Sequence, residues 1–239
     1  MKLSVIIPAY HEEKNIEKTI RSIYSYLKSK NMDHEIIVAI DGFEDKTKDI
    51  AQSLTSELET LRVIGSEINK GKGFSVREGM LTATGDIRLF TDADNSTTID
   101  HIELMLPYFD QGYDVVIASI AIKGSIVASG SEPIWRRILG KLGNLYIQIL
   151  AVPGIFDTQR GFKAFSKRAA KDIFPRQKIM RWGFDVEVLA LARKFGYKIK
   201  EVPIRWNNDP NSHVKGSAYL EVLLEVLKIR WNLITGKYR

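Results

Sequence analysis

Short apolar runs alternate with amphipathic segments along the first half of the chain. Several runs are rich in Val and Ile and apolar at nearly every position, as central parallel strands are. They predict strands at 3–8, 35–41, 61–66, 86–94 and 113–119. The segments between them have a helical period and predict helices at 12–28, 45–59, 72–83 and 99–109. This alternation predicts a doubly wound α/β sheet, in which ligands bind outside the carboxyl ends of the strands.

The second half of the chain has a less regular pattern. It predicts a helix at 133–150, a loop and strand at 157–165, a helix at 183–196, a strand at 198–206 and a helix at about 218–235. The first and last of these helices each carry an apolar stripe, which includes Trp135 in one and Trp231 in the other. No internal repeat or linker is evident, and no apolar run reaches the ~18 residues of a spanning helix. We therefore expect one domain and no transmembrane segment.

Charge is distributed unevenly between the two halves. Residues 1–120 contain 13 Lys and Arg against 20 Asp and Glu, whereas residues 121–239 contain 22 against 9. A basic half commonly faces phosphates, a membrane surface or nucleic acid, although it also serves solubility alone. No basic strand motif interleaved with aromatic residues is present, so a nucleic-acid partner is not favoured. The absence of cysteine excludes disulfides and thiolate metal sites and fits a reducing compartment.

Two aspartates, Asp92 and Asp94, lie at the end of the fourth predicted strand. Carboxylates this close repel each other unless a positive charge lies between them. Mg²⁺ binds one or two carboxylates and completes its coordination with phosphate and water. The pair therefore predicts a site for a metal and a nucleotide diphosphate. The alternative is a turn in which the aspartates cap the helix that follows.

Other predicted strands also end in polar residues. Glu12 or Asp41 can accept a hydrogen bond from a base or a ribose, and Tyr10 can stack on a base. Lys72, within the glycine-rich segment 69–73, is a candidate phosphate ligand at a helix start. That segment matches neither a P-loop nor a dinucleotide fingerprint. Glu12 also has a structural interpretation as a first-turn helical acid, and Asp41 as part of a turn.

Six motifs, in this order, resemble the family 2 glycosyltransferases of the GT-A fold. They are VIIPAYHEEKNI, EIIVAIDGFEDKT, NKGKGFSVREGM, LFTDADNST, DTQRGFKAFSKRAAKDIF and RWGFDVEVLALARKFGYKIKEVPIRW. The resemblance extends over about residues 3–215 and is greatest to the polyprenyl-phosphate branch, which contains dolichyl-phosphate glucosyl- and mannosyltransferases. It implies a mostly parallel α/β sheet in a single domain, 1–239, with a nucleotide-binding half at 1–120 and an acceptor-binding, membrane-proximal half at 121–239.

The resemblance also implies roles for residues at the matching positions. The base and ribose of the nucleotide would be surrounded by Pro8, Tyr10, Glu12 and Asp41. Mg²⁺ or Mn²⁺ would be held against the diphosphate by Asp92 and Asp94. The sugar and acceptor pocket would be lined by Arg160, Asp185 and Glu187. The segment that closes over the diphosphate would contribute Ser212, His213 and Lys215.

Three positions depart from the family pattern, and at one of them, His213, the glucosyl relatives usually have lysine. Ile40 stands where relatives have the first of two aspartates. Ile120 stands where they commonly have a phosphate-facing arginine, for which Lys123 is the candidate replacement. These departures keep open a second interpretation, a nucleotide-binding protein that has lost catalysis.

The implied reaction is inverting transfer of a hexose from a nucleotide sugar, with UDP-glucose favoured, to dolichyl or polyprenyl phosphate. An acceptor phosphate is already anionic, so the enzyme needs mainly to position it and to stabilise the departing diphosphate. GDP-mannose as donor and a glycan hydroxyl as acceptor are the alternatives. A hydroxyl would need a general base, for which Asp185 is the candidate.

The predicted helices at 133–150 and 218–235 also bear on location. Their apolar stripes are flanked by Lys and Arg, which is typical of helices that lie on a membrane surface. Membrane contact is favoured for 133–150, whereas for 218–235 it is matched by the alternative that the stripe covers the sheet or forms a homodimer. The sequence thus predicts a peripheral enzyme on the cytoplasmic face of a membrane.

Overall fold

The computed structural model describes residues 1–127, 134–206 and 216–239. Its strands are β1 (Leu3–Ala9), β2 (His34–Asp41), β3 (Leu61–Ser66), β4 (Ile87–Thr91), β5 (Val115–Ser119), β6 (Ile126–Val127), β7 (Phe162–Ser166), β8 (Ile199–Pro203) and β9 (Arg205–Trp206). Its helices are α1 (Ile16–Ser29), α2 (Thr47–Ser53), α3 (Lys72–Thr82), α4 (Ile102–Asp110), α5 (Ile134–Leu150), α6 (Lys167–Ile173), α7 (Phe184–Lys194) and α8 (Gly216–Ile234). Single turns of 3₁₀ helix lie at Leu54–Ser56, Ile99–His101 and Phe174–Arg176.

Seven strands form one sheet in the order β3-β2-β1-β4-β7-β5-β8, and β6 pairs with β9 in a separate ribbon. Within the sheet, β7 is antiparallel to both of its neighbours, and the remaining pairs are parallel. The predicted mostly parallel α/β sheet is therefore confirmed. Because β7 is reversed, its first residues lie at the same edge of the sheet as the carboxyl ends of β1, β2 and β4.

The apolar runs form strands because helices cover both faces of the sheet. All residues of β1 and β2 are buried, which explains why these strands lack polar alternation. Successive residues point to opposite faces. Leu89 of β4 packs into one hydrophobic cluster and Phe90 into the other. The fourth strand ends at Thr91, three residues before the predicted end, so both aspartates lie in the turn that follows it.

Helices α5 and α8 pack against each other beside the sheet. The hydroxyl of Tyr146 donates to the carbonyl of Leu223 at 3.2 Å, and Ile147 and Val226 are buried. The outer sides of the two helices remain exposed and apolar. The exposed apolar residues on these two helices, called the α5/α8 face below, include Leu142, Leu145, Ile149, Leu220, Leu224, Leu227 and Trp231. None of the helices in the described ranges has both the length and the apolar character needed to span a bilayer.

Candidate active site

Charged side chains converge at the carboxyl edge of the sheet, around the first turn of α3. Lys72 begins that helix, and its Nζ lies 2.5 Å from Oδ1 of Asp92 in the turn after β4. Burial disfavours the ammonium charge, but the carboxylates of Asp92, Asp185 and Asp94 outweigh it and raise the pKa of Lys72. The positive group beside the aspartates in this structure is therefore a lysine side chain.

The turn after β4 is shaped to present both aspartates. Asn95 has a φ of 56°, and Oδ1 of Asp94 accepts the amide of Ser96 at 2.9 Å. The hydroxyl of Thr19 in α1 donates to the carbonyl of Ala93 at 2.6 Å, which ties the turn to the neighbouring helix. Burial, together with the charge of Asp92, raises the pKa of Asp94. Asp94 closes its own turn, but the alternative interpretation, in which the pair caps the following helix, is not observed, because that helical segment begins at Ile99 with Thr98 as its N-cap.

Asp41, at the end of β2, shapes the glycine-rich segment that precedes α3. Its two carboxylate oxygens accept the amides of Lys70 at 2.7 Å and Gly71 at 2.9 Å. Gly71 has a φ of 104°, a region in which glycine is favoured. Burial raises the pKa of Asp41, while the two amides oppose the shift. This role was not predicted from the sequence, and direct contact of Asp41 with a nucleotide stays a prediction.

The end of β1 and the turn between β1 and α1 carry three of the predicted nucleotide ligands. Pro8 is buried within β1, whereas Tyr10 is exposed and contacts the ring of His11 edge to face. The Glu12 amide donates to the hydroxyl of Thr47 at 2.9 Å, and its carboxylate accepts from Asn15 at 2.9 Å. These residues lie at the same edge as Lys72, as the order of the strands requires.

The reversed strand β7 brings a further charged group beneath this edge. Lys163 is fully buried within the strand, and its Nζ lies 2.5 Å from Oδ1 of Asp185 in the first turn of α7. The same nitrogen donates to the carbonyl of Arg160 at 2.5 Å. Burial raises the pKa of Asp185, against the opposing effect of Lys163 and Lys72. Asp185 thus lies in a buried ion pair next to Lys72 and its partners Asp92 and Asp94.

Gly161, the residue immediately before β7, fits directly against Asp92. Its carbonyl accepts the Asp92 amide at 3.0 Å, and a Cβ at this position would coincide with the Asp92 carboxylate. The neighbouring Arg160 is held by Asp157, whose Oδ2 lies 3.1 Å from Nε, and its guanidinium lies 4.5 Å from the ring centre of Trp206. The Asp157 carboxylate also accepts the amide of Ile120 at 2.9 Å.

Residues 4–174 match a family model described as "Glycosyl transferase family 2". This chain is a member of that family. A dolichyl-phosphate beta-glucosyltransferase of Drosophila melanogaster is 35% identical, over 100% of this chain and 77% of that protein. One from Trichomonas vaginalis is 33% identical, over 95% of this chain and 72% of that protein. The family and these relatives confirm that the chain is a hexosyltransferase dependent on a nucleotide sugar.

Solved structures confirm the GT-A fold. Glucosyl-3-phosphoglycerate synthase from Mycobacterium tuberculosis, in complex with Mn²⁺, UDP-glucose and phosphoglyceric acid, superposes with a TM-score of 0.70 at 20% identity, covering 96% of this chain and 80% of that one. Mannosyl-3-phosphoglycerate synthase from Rubrobacter xylanophilus gives a TM-score of 0.71 at 16% identity, covering 99% and 75%.

The donor atoms of this family 2 glycosyltransferase fit a divalent cation in the Asp92–Asp94 turn. Both residues are partly exposed and offer carboxylate oxygens, which Mg²⁺ and Mn²⁺ accept as ligands. Burial is the main cause that raises the pKa of Asp94, and the charge of Asp92, which a cation would neutralise, adds to it. Within residues 1–127, 134–206 and 216–239 there is no cluster of three or more His, Asp or Glu that could hold a metal. A cation here would therefore take its remaining ligands from the diphosphate and water.

Of the remaining predicted site residues, the structure describes Glu187 and Lys123. Glu187 is fully buried, and its carboxylate accepts the amides of Lys178 at 3.0 Å and Ile179 at 2.8 Å, so it faces a backbone segment. Lys123 is exposed in the turn after β5. The predictions for Ser212, His213 and Lys215 lie outside the described residues.

Sequence reasoning missed Lys163, Asp157 and Gly161. The lysine within the apolar strand FKAF could have indicated a buried ion pair, because an unpaired lysine is too costly to bury. Its partner, Asp185, is 22 residues away along the chain, so the pairing itself could not be predicted locally.

Proposed function

We propose that this glycosyltransferase transfers glucose from UDP-glucose to dolichyl or another polyprenyl phosphate, with inversion at the anomeric carbon and with Mg²⁺ or Mn²⁺. The observation that carries the proposal is the cluster of Lys72, Asp92, Asp94 and Asp185 at the carboxyl edge of the sheet. It occurs in a chain that is 35% identical, over its whole length, to a dolichyl-phosphate beta-glucosyltransferase.

In this proposal the nucleotide lies along the edge formed by Pro8, Tyr10, Glu12 and Asp41. Tyr10 is exposed where a base can stack on its ring. Lys72 places its ammonium beside the diphosphate at the start of α3, where helix amides also favour an anion. A bound Mg²⁺ or Mn²⁺ supplies further positive charge against the leaving diphosphate. Asp92 and Asp94 would hold it.

The acceptor phosphate attacks the anomeric carbon from the side opposite the diphosphate. Arg160 is the cation proposed to orient it, because Asp157 and Trp206 fix its guanidinium. A phosphate oxygen needs no general base. The alternative hydroxyl acceptor is less supported, because its candidate base, Asp185, is engaged by the buried Lys163.

The closing segment and the membrane location remain part of the proposal. Ser212, His213 and Lys215 would add donors to the diphosphate on closure. The α5/α8 face would lie on the cytoplasmic surface of a membrane, where a lipid acceptor presents its phosphate. Exposed Lys228 and Arg230 beside the apolar residues of α8 favour an anionic lipid surface.

The test is transfer from a panel of radiolabelled nucleotide sugars to polyprenyl phosphate, with Mg²⁺, Mn²⁺ or EDTA, followed by lipid extraction. We expect label from UDP-glucose in the lipid phase, and none with EDTA. Asp94→Ala should abolish transfer. Asp110→Ala is the matched control, because Asp110 is an exposed carboxylate at the end of α4, away from the carboxyl edge. Label from GDP-mannose alone, or turnover unaffected by Asp94→Ala, would contradict the proposal.

A further inference from the structure

The segment 177–183, which joins the turn at Phe174–Arg176 to α7, lies directly on the first turn of α3. The Met180 carbonyl accepts the Phe74 amide at 3.0 Å. Nε2 of Gln177 donates to the carbonyl of Gly73 at 2.8 Å. A Cβ on Gly73 would lie 2.7 Å from that of Phe184. The backbone that carries Lys72 thus has no free space on this side.

The buried carboxylate of Glu187 also binds this segment. Oε2 of Glu187 accepts the amides of Lys178 at 3.0 Å and Ile179 at 2.8 Å, and Oε1 accepts the hydroxyl of Tyr238 at 2.5 Å. Glu187 is 0% exposed and Tyr238, next to the last residue of this chain, is 1% exposed. Nδ2 of Asn232 in α8 donates to the Tyr238 oxygen at 3.3 Å.

Helix α8 fixes the other end of the same segment. Oε2 of Glu225 accepts the Gly183 amide at 2.6 Å, and a Cβ on Gly183 would lie 2.7 Å from that oxygen. Glu221 lies 3.7 Å from the guanidinium of Arg181. The segment is therefore clamped between α3 and the last 24 residues of the chain, 216–239, which lie beyond the family match at 4–174.

We propose that Tyr238 and Glu187 are positioning residues that set the place of Lys72 at the diphosphate. Tyr238 orients the Glu187 carboxylate, Glu187 fixes the amides of 178 and 179, and Met180 in turn fixes the start of α3. That Lys72 binds the diphosphate rests on the proposed function. The connection from Tyr238 to the start of α3 depends only on the hydrogen bonds described above.

The test is Tyr238→Phe, which keeps the ring and removes only the donor to Glu187. We expect faster amide hydrogen exchange in 71–76, and a KM for UDP-glucose raised about tenfold, with a smaller change in kcat, as for one lost charge-assisted hydrogen bond. Glu225→Ala removes the acceptor of the Gly183 amide at the other end and should act in the same direction.

Two controls separate positioning from general loss of stability. Tyr26→Phe removes a hydroxyl that donates to Glu103 at 2.7 Å, between α1 and α4, and should leave KM and exchange in 71–76 unchanged. Ile229→Val weakens the packing of α8, where Ile229 is buried, without removing any of these hydrogen bonds. It should lower Tm without raising KM.

Unchanged exchange in 71–76 in Tyr238→Phe, or an equal rise of KM in Ile229→Val, would overturn the positioning role. If the unaltered protein does not use UDP-glucose, the proposed function fails. The exchange comparison between Tyr238→Phe and Tyr26→Phe then still decides whether the last residues position α3.

Discussion

Gly161 shows how one residue without a side chain determines the position of a charged one. Its Cα faces the Asp92 carboxylate so closely that a methyl group could not fit. Its carbonyl also accepts the Asp92 amide at 3.0 Å, so the two backbones cannot separate without losing a hydrogen bond. The ion pair of Asp92 with Lys72 depends on this contact between β4 and the reversed β7.

Gly161→Ala is expected to displace Asp92 from Lys72 and to lower kcat/KM by about 100-fold, because small misplacements of catalytic groups cost rates of this order. The measurement is steady-state transfer with UDP-glucose and polyprenyl phosphate, together with thermal unfolding. Gly140→Ala is the matched control, since Gly140 lies in α5 with no atom within 4 Å of an added Cβ. It should stabilise the helix by about 0.5–1 kcal/mol and leave kcat/KM unchanged. A fully active Gly161→Ala enzyme would contradict this account of Asp92.

The ion pair of Lys163 and Asp185 is the most deeply buried charge pair of the site, with side chains 0% and 6% exposed. Lys163→Met leaves the Asp185 carboxylate buried without its cation, so the free energy of unfolding should fall by about 3–5 kcal/mol. Urea unfolding measures this change. Lys167→Met removes an exposed lysine four residues along and should change the free energy of unfolding by less than about 0.5 kcal/mol.

A double variant separates the structural from the catalytic role of this pair. Replacing both groups with apolar side chains removes the buried charge that Lys163→Met alone leaves behind. Lys163→Met with Asp185→Leu should therefore recover most of the stability lost in Lys163→Met, while transfer stays reduced because Lys72 loses one of the carboxylates that stabilise its charge. Restored transfer in the double variant would show that Asp185 has no part in the reaction.

At the scale of elements, Glu35 links the first three strands at the edge opposite the site. Oε1 accepts the hydroxyl of Ser4 in β1 at 2.5 Å and both the amide and the hydroxyl of Thr84 at 2.6 and 2.7 Å. Its other oxygen pairs with Arg62 in β3. Burial alone would raise its pKa, but the hydrogen bonds and Arg62 lower the pKa of Glu35 to about 2.

This lowered pKa predicts an acid-sensitive contribution to stability. The contribution is fully present above the unfolded pKa of 4.5 and is lost as pH falls towards about 2, and the shift corresponds to about 3 kcal/mol. In Glu35→Gln the free energy of unfolding, measured by urea titration from pH 5 to 2, should fall less steeply than in the unaltered protein. Glu17→Gln, at an exposed carboxylate of α1, should retain the original slope. Equal slopes for Glu35→Gln and the unaltered protein would refute the assignment.

The elements themselves follow from local pattern, whereas their pairing does not. Continuous burial of β1 and β2 and helical periods between strands are properties of neighbouring residues, so their positions were predictable. The insertion of β7 between β4 and β5, reversed, depends on contacts between distant segments. The same dependence on contacts between distant segments explains why the site could be predicted only in part. Asp92 and Asp94 could be proposed as ligands because strand ends carry ligands, but the contacts of Lys163, Gly161 and Glu187 depend on long-range pairing.

At the scale of the whole molecule, the α5/α8 face is an apolar surface beside a basic half. Leu224 is 59% exposed and Trp231 is 61% exposed, although both lie on a helix whose other side is buried. Exposed apolar patches of this kind mark contact with a membrane or another protein. Because α8 also clamps the segment 177–183, contact at this face would act on the same helix that positions the site.

Binding to vesicles tests the membrane interpretation. The burial of one large apolar side chain contributes about 1.5–3 kcal/mol. Leu224→Glu should therefore weaken flotation with vesicles of anionic lipid by at least about tenfold, and Trp231→Glu should do the same. Leu104→Glu is the matched control, since Leu104 is 51% exposed on α4, away from this face. It should bind as the unaltered protein does.

The two interpretations of the α5/α8 face differ in what changes with protein concentration. A homodimer would bury Leu224 and Trp231 without lipid, so sedimentation would show a mass that doubles at high concentration and returns to that of one chain in Leu224→Glu. A membrane surface predicts one chain at every concentration, and binding that weakens with salt as the Lys and Arg beside the face are screened. A dimer that is lost in Leu224→Glu, together with no binding to vesicles, would assign the face to a second copy.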